Sequence, residues 1–209
     1  MIAIVDYGVG NLFSLQSSLR AIGAESVVTG DTDMLARADR IILPGVGAFA
    51  DAAAKLRGTG LDRVLVELAG RGTPLLGICL GMQLLFDVSM EYGRHAGLGL
   101  IPGRVIPISD VIPAGLKIPH MGWNALELSA PVHPLFRSIR SGECVYFVHS
   151  FFAECGAEYV TATAEYGAPL TAAAANGNVM GCQFHPEKSG DAGLQILRSF
   201  CRMEAATIC

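Results

Sequence analysis

The chain has 209 residues, 51% of them apolar and 16% charged, with a net charge of −4 at pH 7. That length is enough for one full hydrophobic core, the composition excludes a disordered chain, and the acidic balance leaves no basic footprint for nucleic acid. No apolar run reaches the length of a membrane helix, and the start, Met1-Ile2-Ala3-Ile4-Val5-Asp6, has neither a basic n-region nor a cleavage-site pattern, so it reads as a first strand and not a signal peptide.

In chain order, Ile2–Asp6 reads as a strand and Leu12–Ile22 as a helix, with Asn11 as N-cap and Gly23 as stop. Ser26–Val28 is short and β-branched. Arg40–Leu43 reads as a buried strand closed by Pro44-Gly45. Helical spacing covers Phe49–Leu56 and Leu61–Ala69, with Gly58 and Gly60 between them. Pro74–Ile78 is the next strand, and Met82–Phe86 opens another helical pattern. Strands alternating with helices predict an α/β fold, a flavodoxin-like, mostly parallel sheet flanked by helices.

The second half changes texture. Arg104–Ile108, Leu116–Ile118, Val145–Phe152, Val160–Ala164, Leu170–Ala174 and Val179–Phe184 are short and strand-like, divided by turn residues such as Pro113, Gly142 and Gly167. These predict additional antiparallel strands. Asn176-Gly177 is a two-residue hairpin signal, and Ala192–Met203 reads as the last helix. With no linker, repeat or low-complexity stretch, residues 1–209 are expected to form one domain.

Chemistry concentrates at Gly77-Ile78-Cys79-Leu80-Gly81. An apolar strand runs straight into a helix here, and the bend leaves one side chain exposed. Glycines two before and two after the cysteine let strand and helix pass closely, the geometry of a nucleophile elbow with cysteine in place of serine. The N–H groups of the helix start favour thiolate. A base is offered by Gln183-Phe184-His185-Pro186-Glu187. In extended backbone residues two apart share a side, so Glu187 can hold the His185 imidazole while the other ring nitrogen faces the thiol. An oxyanion needs N–H donors. Leu80 follows the nucleophile, and Pro44-Gly45-Val46-Gly47 places Val46 and Gly47 on the loop after a neighbouring strand.

Other patterns carry less. Gly8-Val9-Gly10 has Phe13 where a dinucleotide loop needs its third glycine, and it reads as a tight turn. His95, His120, His133 and His149 lack metal spacing, so no metal or cofactor is expected. The six cysteines, Cys79, Cys144, Cys155, Cys182, Cys201 and Cys209, contain no C-x-x-C pair. They suit a cytoplasmic protein with free thiols. Most of the five besides Cys79 are expected in or near the core, with Cys209 frayed and exposed at the end.

On these residues the chain resembles the class I (triad) glutamine amidotransferases over nearly its whole length. Gly77-Ile78-Cys79-Leu80-Gly81-Met82-Gln83 and His185-Pro186-Glu187 are the family's two catalytic motifs. The finer resemblance is to the glutaminase subunits of imidazole glycerol phosphate synthases in histidine biosynthesis. It rests on Asp6-Tyr7-Gly8-Val9-Gly10-Asn11, Leu43-Pro44-Gly45-Val46-Gly47-Ala48-Phe49 and Pro119-His120-Met121-Gly122-Trp123-Asn124, and further on Tyr146-Phe147-Val148-His149-Ser150 and His185-Pro186-Glu187-Lys188-Ser189.

The resemblance implies that Cys79 attacks the side-chain amide of glutamine, that His185 moves the protons, and that water then frees glutamate. It implies that Gln83 and Glu91 grip the glutamine, with the backbone around His149, Ser150 and Phe151 on its α-carboxylate. It also implies a partner in a heterodimer, a (β/α)₈-barrel cyclase subunit whose channel receives the ammonia. Met121, Trp123, Tyr146 and Lys188 are the candidates for the docking face. The Gly45-Val46-Gly47 loop is the candidate switch that ties glutamine hydrolysis to the cyclase's ligand. Glutaminases serving pyridoxal phosphate, anthranilate or guanylate synthesis remain alternatives, as do a stand-alone cysteine peptidase or γ-glutamyl hydrolase and a silent regulatory subunit.

Overall fold

Side chains that alternate along short apolar strands set the architecture of residues 1–203, which this computed structural model describes; the expectation for Cys209 lies outside the described residues. β1 (Ile2–Val5) turns Ile2 and Ile4 into one hydrophobic cluster and Ala3 and Val5 into another. Both its faces are covered, as parallel strands require. α1 (Leu12–Ala21) leads to β2 (Ser26–Thr29), and α2 (Thr32–Ala36) to β3 (Arg40–Gly45). α3 (Phe49–Thr59) and α4 (Leu61–Gly70) meet at left-handed Gly60, and β4 (Leu75–Cys79) runs directly into α5 (Leu80–Leu84). There follow β5 (Phe86–Ser89), β6 (His95–Ala96), β7 (Ile101–Pro107), β8 (His120–Ala125), β9 (Glu127–Leu128), β10 (Cys144–His149) and β11 (Phe151–Glu154). β12 (Val160–Glu165), β13 (Pro169–Asn176), β14 (Val179–Cys182) and α6 (Gly190–Arg202) complete the order.

The main sheet runs β2-β1-β3-β4-β14-β13-β12-β9. Its first five strands are parallel and the rest antiparallel, so the fold expected from the sequence holds. With β14 counted as the fifth parallel strand, this is the doubly wound order whose ligands bind beyond the carboxyl ends of the strands. One face packs on Leu15 and Leu19 of α1 and on Ile196, Leu197 and Phe200 of α6. The other packs on α2, α3 and α4 through Leu35, Phe49, Leu56, Leu65 and Leu68. A four-stranded sheet, β11-β7-β5-β6, and the antiparallel ribbon β8–β10 stand beside the main sheet.

Several boundaries differ from the sequence reading. β3 continues through Pro44 and Gly45, because β4 keeps pairing with it to Gly45 after its pairing with β1 has ended at Ile42; where one neighbour no longer pairs, a residue without an N–H is tolerated. The helix after Cys79 stops at Leu84, since Phe86 pairs with Ile101 in the second sheet. Leu116–Ile118 is turn, and the strand begins at His120. Val145–Phe152 is two strands broken at Ser150, where the chain crosses from β8 to β7 as partner. The last hairpin turns on Gly177-Asn178, one residue later than read, because Asn176 itself pairs with Val179. Asn11 precedes α1 but makes no side-chain cap. Cys182 is buried and Cys155 and Cys201 are half-buried, whereas Cys144 at the start of β10 is exposed.

Candidate active site

The carboxyl ends of β3, β4 and β14 converge on Cys79. This residue has φ 54° and ψ −112°, a backbone state that costs an L-residue about 1–3 kcal/mol and persists only where packing enforces it. The packing is visible in the glycines. A Cβ on Gly81 would lie 1.8 Å from the Leu43 carbonyl oxygen, and one on Gly77 would lie 2.6 Å from that of Gly81. β3, β4 and α5 therefore pass at backbone contact, and the sulfur is pushed out at the bend. α5 has only five residues, so it offers the sulfur the free N–H groups of its first turn more than a long dipole.

His185 follows β14 and is fixed from several sides. Its N–H donates to Tyr146 O at 2.9 Å, and its carbonyl accepts from Ser189 Oγ at 2.6 Å. Ser189 Oγ in turn accepts from Tyr146 N at 2.9 Å. Nδ1 lies 2.8 Å from Glu187 Oε1. The two residues meet through a 3₁₀ turn over Pro186–Lys188, not through the extended alternation read from the sequence. Nε2 makes no hydrogen bond among the described residues, yet Cys79 is close enough to shift its titration. Burial pulls the imidazole pKa down, but contact with Cys79 and Glu187 and their charges push it further up, to about 9. The ring is therefore held protonated at neutral pH, between a carboxylate and a sulfur.

Cys79 and His185 open into a cavity of about 340 Å³. Val46, Gly47, Leu80, Gln83, Glu91, His149, Ser150 and Phe151 line it, so the predicted catalytic, oxyanion and substrate residues come together, with Glu187 behind His185. Tyr92, Pro119 and Val148 also line it; Pro119 and Val148 fall within motifs quoted from the sequence without a role at the cavity, and Tyr92 falls in none. Tyr92 is 91% exposed in a left-handed conformation, edge-on to Phe151.

Two of the lining residues have structural duties the sequence did not reveal. Glu91 Oε2 accepts from Phe49 N at 2.7 Å, at the first residue of α3. Both N–H bonds of Gln83 are taken, by Phe151 O at 3.0 Å and Gln183 Oε1 at 2.9 Å. Each thus keeps one oxygen free. The loop from Pro44 to Phe49 is tethered at both ends, by Glu91 and by the buried Tyr7 hydroxyl, which donates to Pro44 O at 2.8 Å. Between these tethers Gly47 has φ +94°, which only glycine adopts without strain.

Met121, Trp123 and Tyr146 lie on the β8–β10 ribbon, and Lys188, at the end of the 3₁₀ turn after β14, reaches toward Tyr146. Trp123 pairs across the strands with Tyr146, and the Lys188 ammonium lies 5.9 Å from the Tyr146 ring centroid. Met121 and Trp123 are 61% and 58% exposed.

The family model described as glutamine amidotransferase class-I matches residues 3–203. The chain belongs to the class-I glutamine amidotransferases. It is 50% identical over 200 residues to the "Imidazole glycerol phosphate synthase subunit HisH" of Moorella thermoacetica, covering 95% of this chain and 93% of the relative. It is 48% identical over 204 residues to the protein of that name from Syntrophotalea carbinolica, covering 96% and 98%. A crystal structure of a glutamine amidotransferase superposes with a TM-score of 0.74 at 20% identity, covering 96% of this chain and 99% of that one, which speaks for the fold. Among the described residues no helix is long and apolar enough to cross a membrane.

Proposed function

We propose that this glutamine amidotransferase, as a single domain, is the glutaminase subunit of an imidazole glycerol phosphate synthase, with Cys79, His185 and Glu187 as its catalytic triad. The observation that carries the reading is the buried His185 ring, held by Glu187 at 2.8 Å and standing with Cys79 at the cavity wall. The relatives named above support the choice of synthase.

Glutamine enters with its side-chain amide at the sulfur. Its ammonium meets the free oxygen of Glu91, its amide N–H meets Gln83 Oε1, and its α-carboxylate lies along His149-Ser150-Phe151. The Cys79 thiolate bonds to the amide carbon, and the C=O electron pair moves to oxygen. The backbone N–H of Leu80 and the Val46–Gly47 segment receive that oxyanion. As the C–N bond breaks, His185 gives its Nε2 proton to the nitrogen, and ammonia leaves a γ-glutamyl thioester. His185, now neutral, takes a proton from water. Hydroxide adds to the thioester, the C–S bond breaks with its electron pair returning to sulfur, and the new carboxyl group gives its proton to solvent as glutamate leaves, with the thiolate–imidazolium pair restored. Glu187 holds the ring in one orientation throughout.

Ammonia released into water would be protonated and lost as a nucleophile, so the partner is a cyclase subunit with a (β/α)₈ barrel that receives it, in the cytoplasm. Met121, Trp123, Tyr146 and Lys188 form the docking patch, and the Gly45-Val46-Gly47 loop ties glutamine hydrolysis to the cyclase's ligand. The test mixes the chain with a cyclase subunit and its nucleotide and measures glutamate release. Strong stimulation by the partner is expected. Cys79→Ala should abolish release and leave ammonia-driven cyclase turnover intact. Glutamate release by Cys79→Ala at the wild-type rate would end the proposal.

A further inference from the structure

We infer that Gln183 is a further catalytic residue, its side-chain N–H held toward the Cys79 sulfur by a hydrogen-bond chain that has only one possible polarity. The inference rests on reading Cys79 as the nucleophile. Gln183 Nε2 lies 3.7 Å from Cys79 Sγ, and the residue is fully buried. A buried amide costs stability unless each polar group is matched, so its orientation is determined by its neighbours.

The chain is rooted at Phe151 O, which can only accept. Gln83 and His149 both reach it, at 3.0 and 2.9 Å, so Gln83 must present its nitrogen there and His149 must carry a proton on Nδ1. The second N–H of Gln83 points to Gln183 at 2.9 Å, which makes that atom Oε1. Gln183 is then left with Nε2 facing the sulfur. In the other direction the neutral His149 ring accepts at Nε2 from His120 Nδ1 at 3.0 Å, and His120 Nε2 accepts from Asn124 Nδ2 at 3.2 Å. Asn124 is fixed independently, because Nδ2 also donates to Glu165 O at 2.8 Å and Oδ1 accepts from Ala125 N at 2.8 Å. Backbone groups at Phe151, Glu165 and Ala125 thus dictate every donor and acceptor, and reversing any one member would set donor against donor or acceptor against acceptor.

Hydrogen bonds donated to ionised acceptors are the stronger ones, and this one is aimed at the atom that attacks. Gln183 acts on the reacting atom itself. Gln83 is the positioning residue that keeps it there, and His149 and His120 form a second branch from the same Phe151 carbonyl. The far end of the chain lies on β8, whose alternation sends Met121 and Trp123 outward while His120 turns into the interior.

The test uses two variants. Gln183→Met keeps the shape and removes the donor. His120→Phe keeps the ring that stacks on Phe147 and Tyr166, at 4.8 and 4.1 Å between centroids, and cuts the chain away from the cavity. Iodoacetamide alkylation of Cys79 in the full chain, followed on the Cys79 peptide by mass spectrometry at neutral pH, should slow by about three- to tenfold in Gln183→Met. kcat for glutamine in the complex with the cyclase subunit should fall by a similar factor. In the wild-type chain, ¹⁵N spectra should show both His120 and His149 as Nδ1–H tautomers, and His149 should remain Nδ1–H in His120→Phe, because Phe151 O still requires the proton there. Wild-type alkylation and kcat in Gln183→Met would overturn the inference, and so would an Nε2–H tautomer at His149. If Gln183→Met fails to fold, the tautomers and His120→Phe still decide. Full activity in Gln183→Met beside an inactive Cys79→Ala would remove this inference and leave the nucleophile standing.

Discussion

Gly81 has no room for a methyl group. The nearest atoms to its missing Cβ are backbone, Leu43 O at 1.8 Å and Leu43 C at 2.8 Å, and neither can swing aside as a flexible side chain would. Gly81→Ala must therefore part α5 from β3 and carry Cys79 with it. We expect a loss of about 3 kcal/mol or more in urea unfolding, together with loss of glutamine hydrolysis. Gly58→Ala is the opposite case. It sits in α3 with nothing within 4 Å of its Cβ position, and alanine there should stabilise by roughly 0.5–1 kcal/mol. Equal unfolding midpoints for both variants would contradict the packing argument. The elbow was legible in the sequence because its demand for glycine falls within five adjacent residues. Gln183 was not, because its contacts with Gln83 and Cys79 span about a hundred residues, and a buried glutamine looks like any other in one dimension.

At the scale of elements, the sequence identified pairs of residues more reliably than the backbone that joins them. His185 and Glu187 do meet, but through a 3₁₀ turn, since a proline that ends a ladder also starts a turn well. The stretch from Val145 to Phe152 reads as one strand because apolar residues flank His149-Ser150 on both sides with no Gly or Pro between them; the change of sheet at Ser150 depends on which partners are available, β8 or β7. β8 shows what alternation can settle. His120 is buried while Met121 and Trp123 are exposed, so one strand serves both the cavity's hydrogen-bond chain and the surface. Trp123 stands edge-on to Tyr146, with ring centroids 6.2 Å apart, and aromatic anchors of this kind dominate interface energies. Trp123→Ala should weaken binding of the cyclase subunit by about 2 kcal/mol or more, near thirtyfold in Kd, and move the unfolding free energy by no more than about 0.5 kcal/mol. Calorimetric titration would show it, and an unchanged Kd would take Trp123 out of the docking surface.

Across the whole molecule, the parallel half was readable because strand and helix alternate there with regular punctuation, whereas the antiparallel half joins three sheets through pairings that no local pattern specifies. That second half buries His120, His149 and His185, half-buries His133, and ties the molecule's stability to pH. Burial lowers the pKa of His120 and His133, and it lowers His149 to about 4, with the nearby His120 and His185 adding to it. Between about pH 6.5 and 4 the unfolded chain binds a proton at His149 that the folded chain refuses, so stability falls as pH falls through that window. A gap of about two and a half pKa units corresponds to a loss on the order of 3 kcal/mol. His185 has the opposite sign. Its folded pKa of about 9 gives a contribution fully present below about pH 6.5 and lost as pH rises through 9. The two windows meet near pH 6.5, where stability should peak. Urea unfolding at pH 5, 6.5 and 8.5 should give its highest midpoint in the middle. His149→Gln cannot be protonated and should lose less than the wild type between pH 6.5 and 5, so an equal loss in the two proteins would assign the acid limb to groups other than His149.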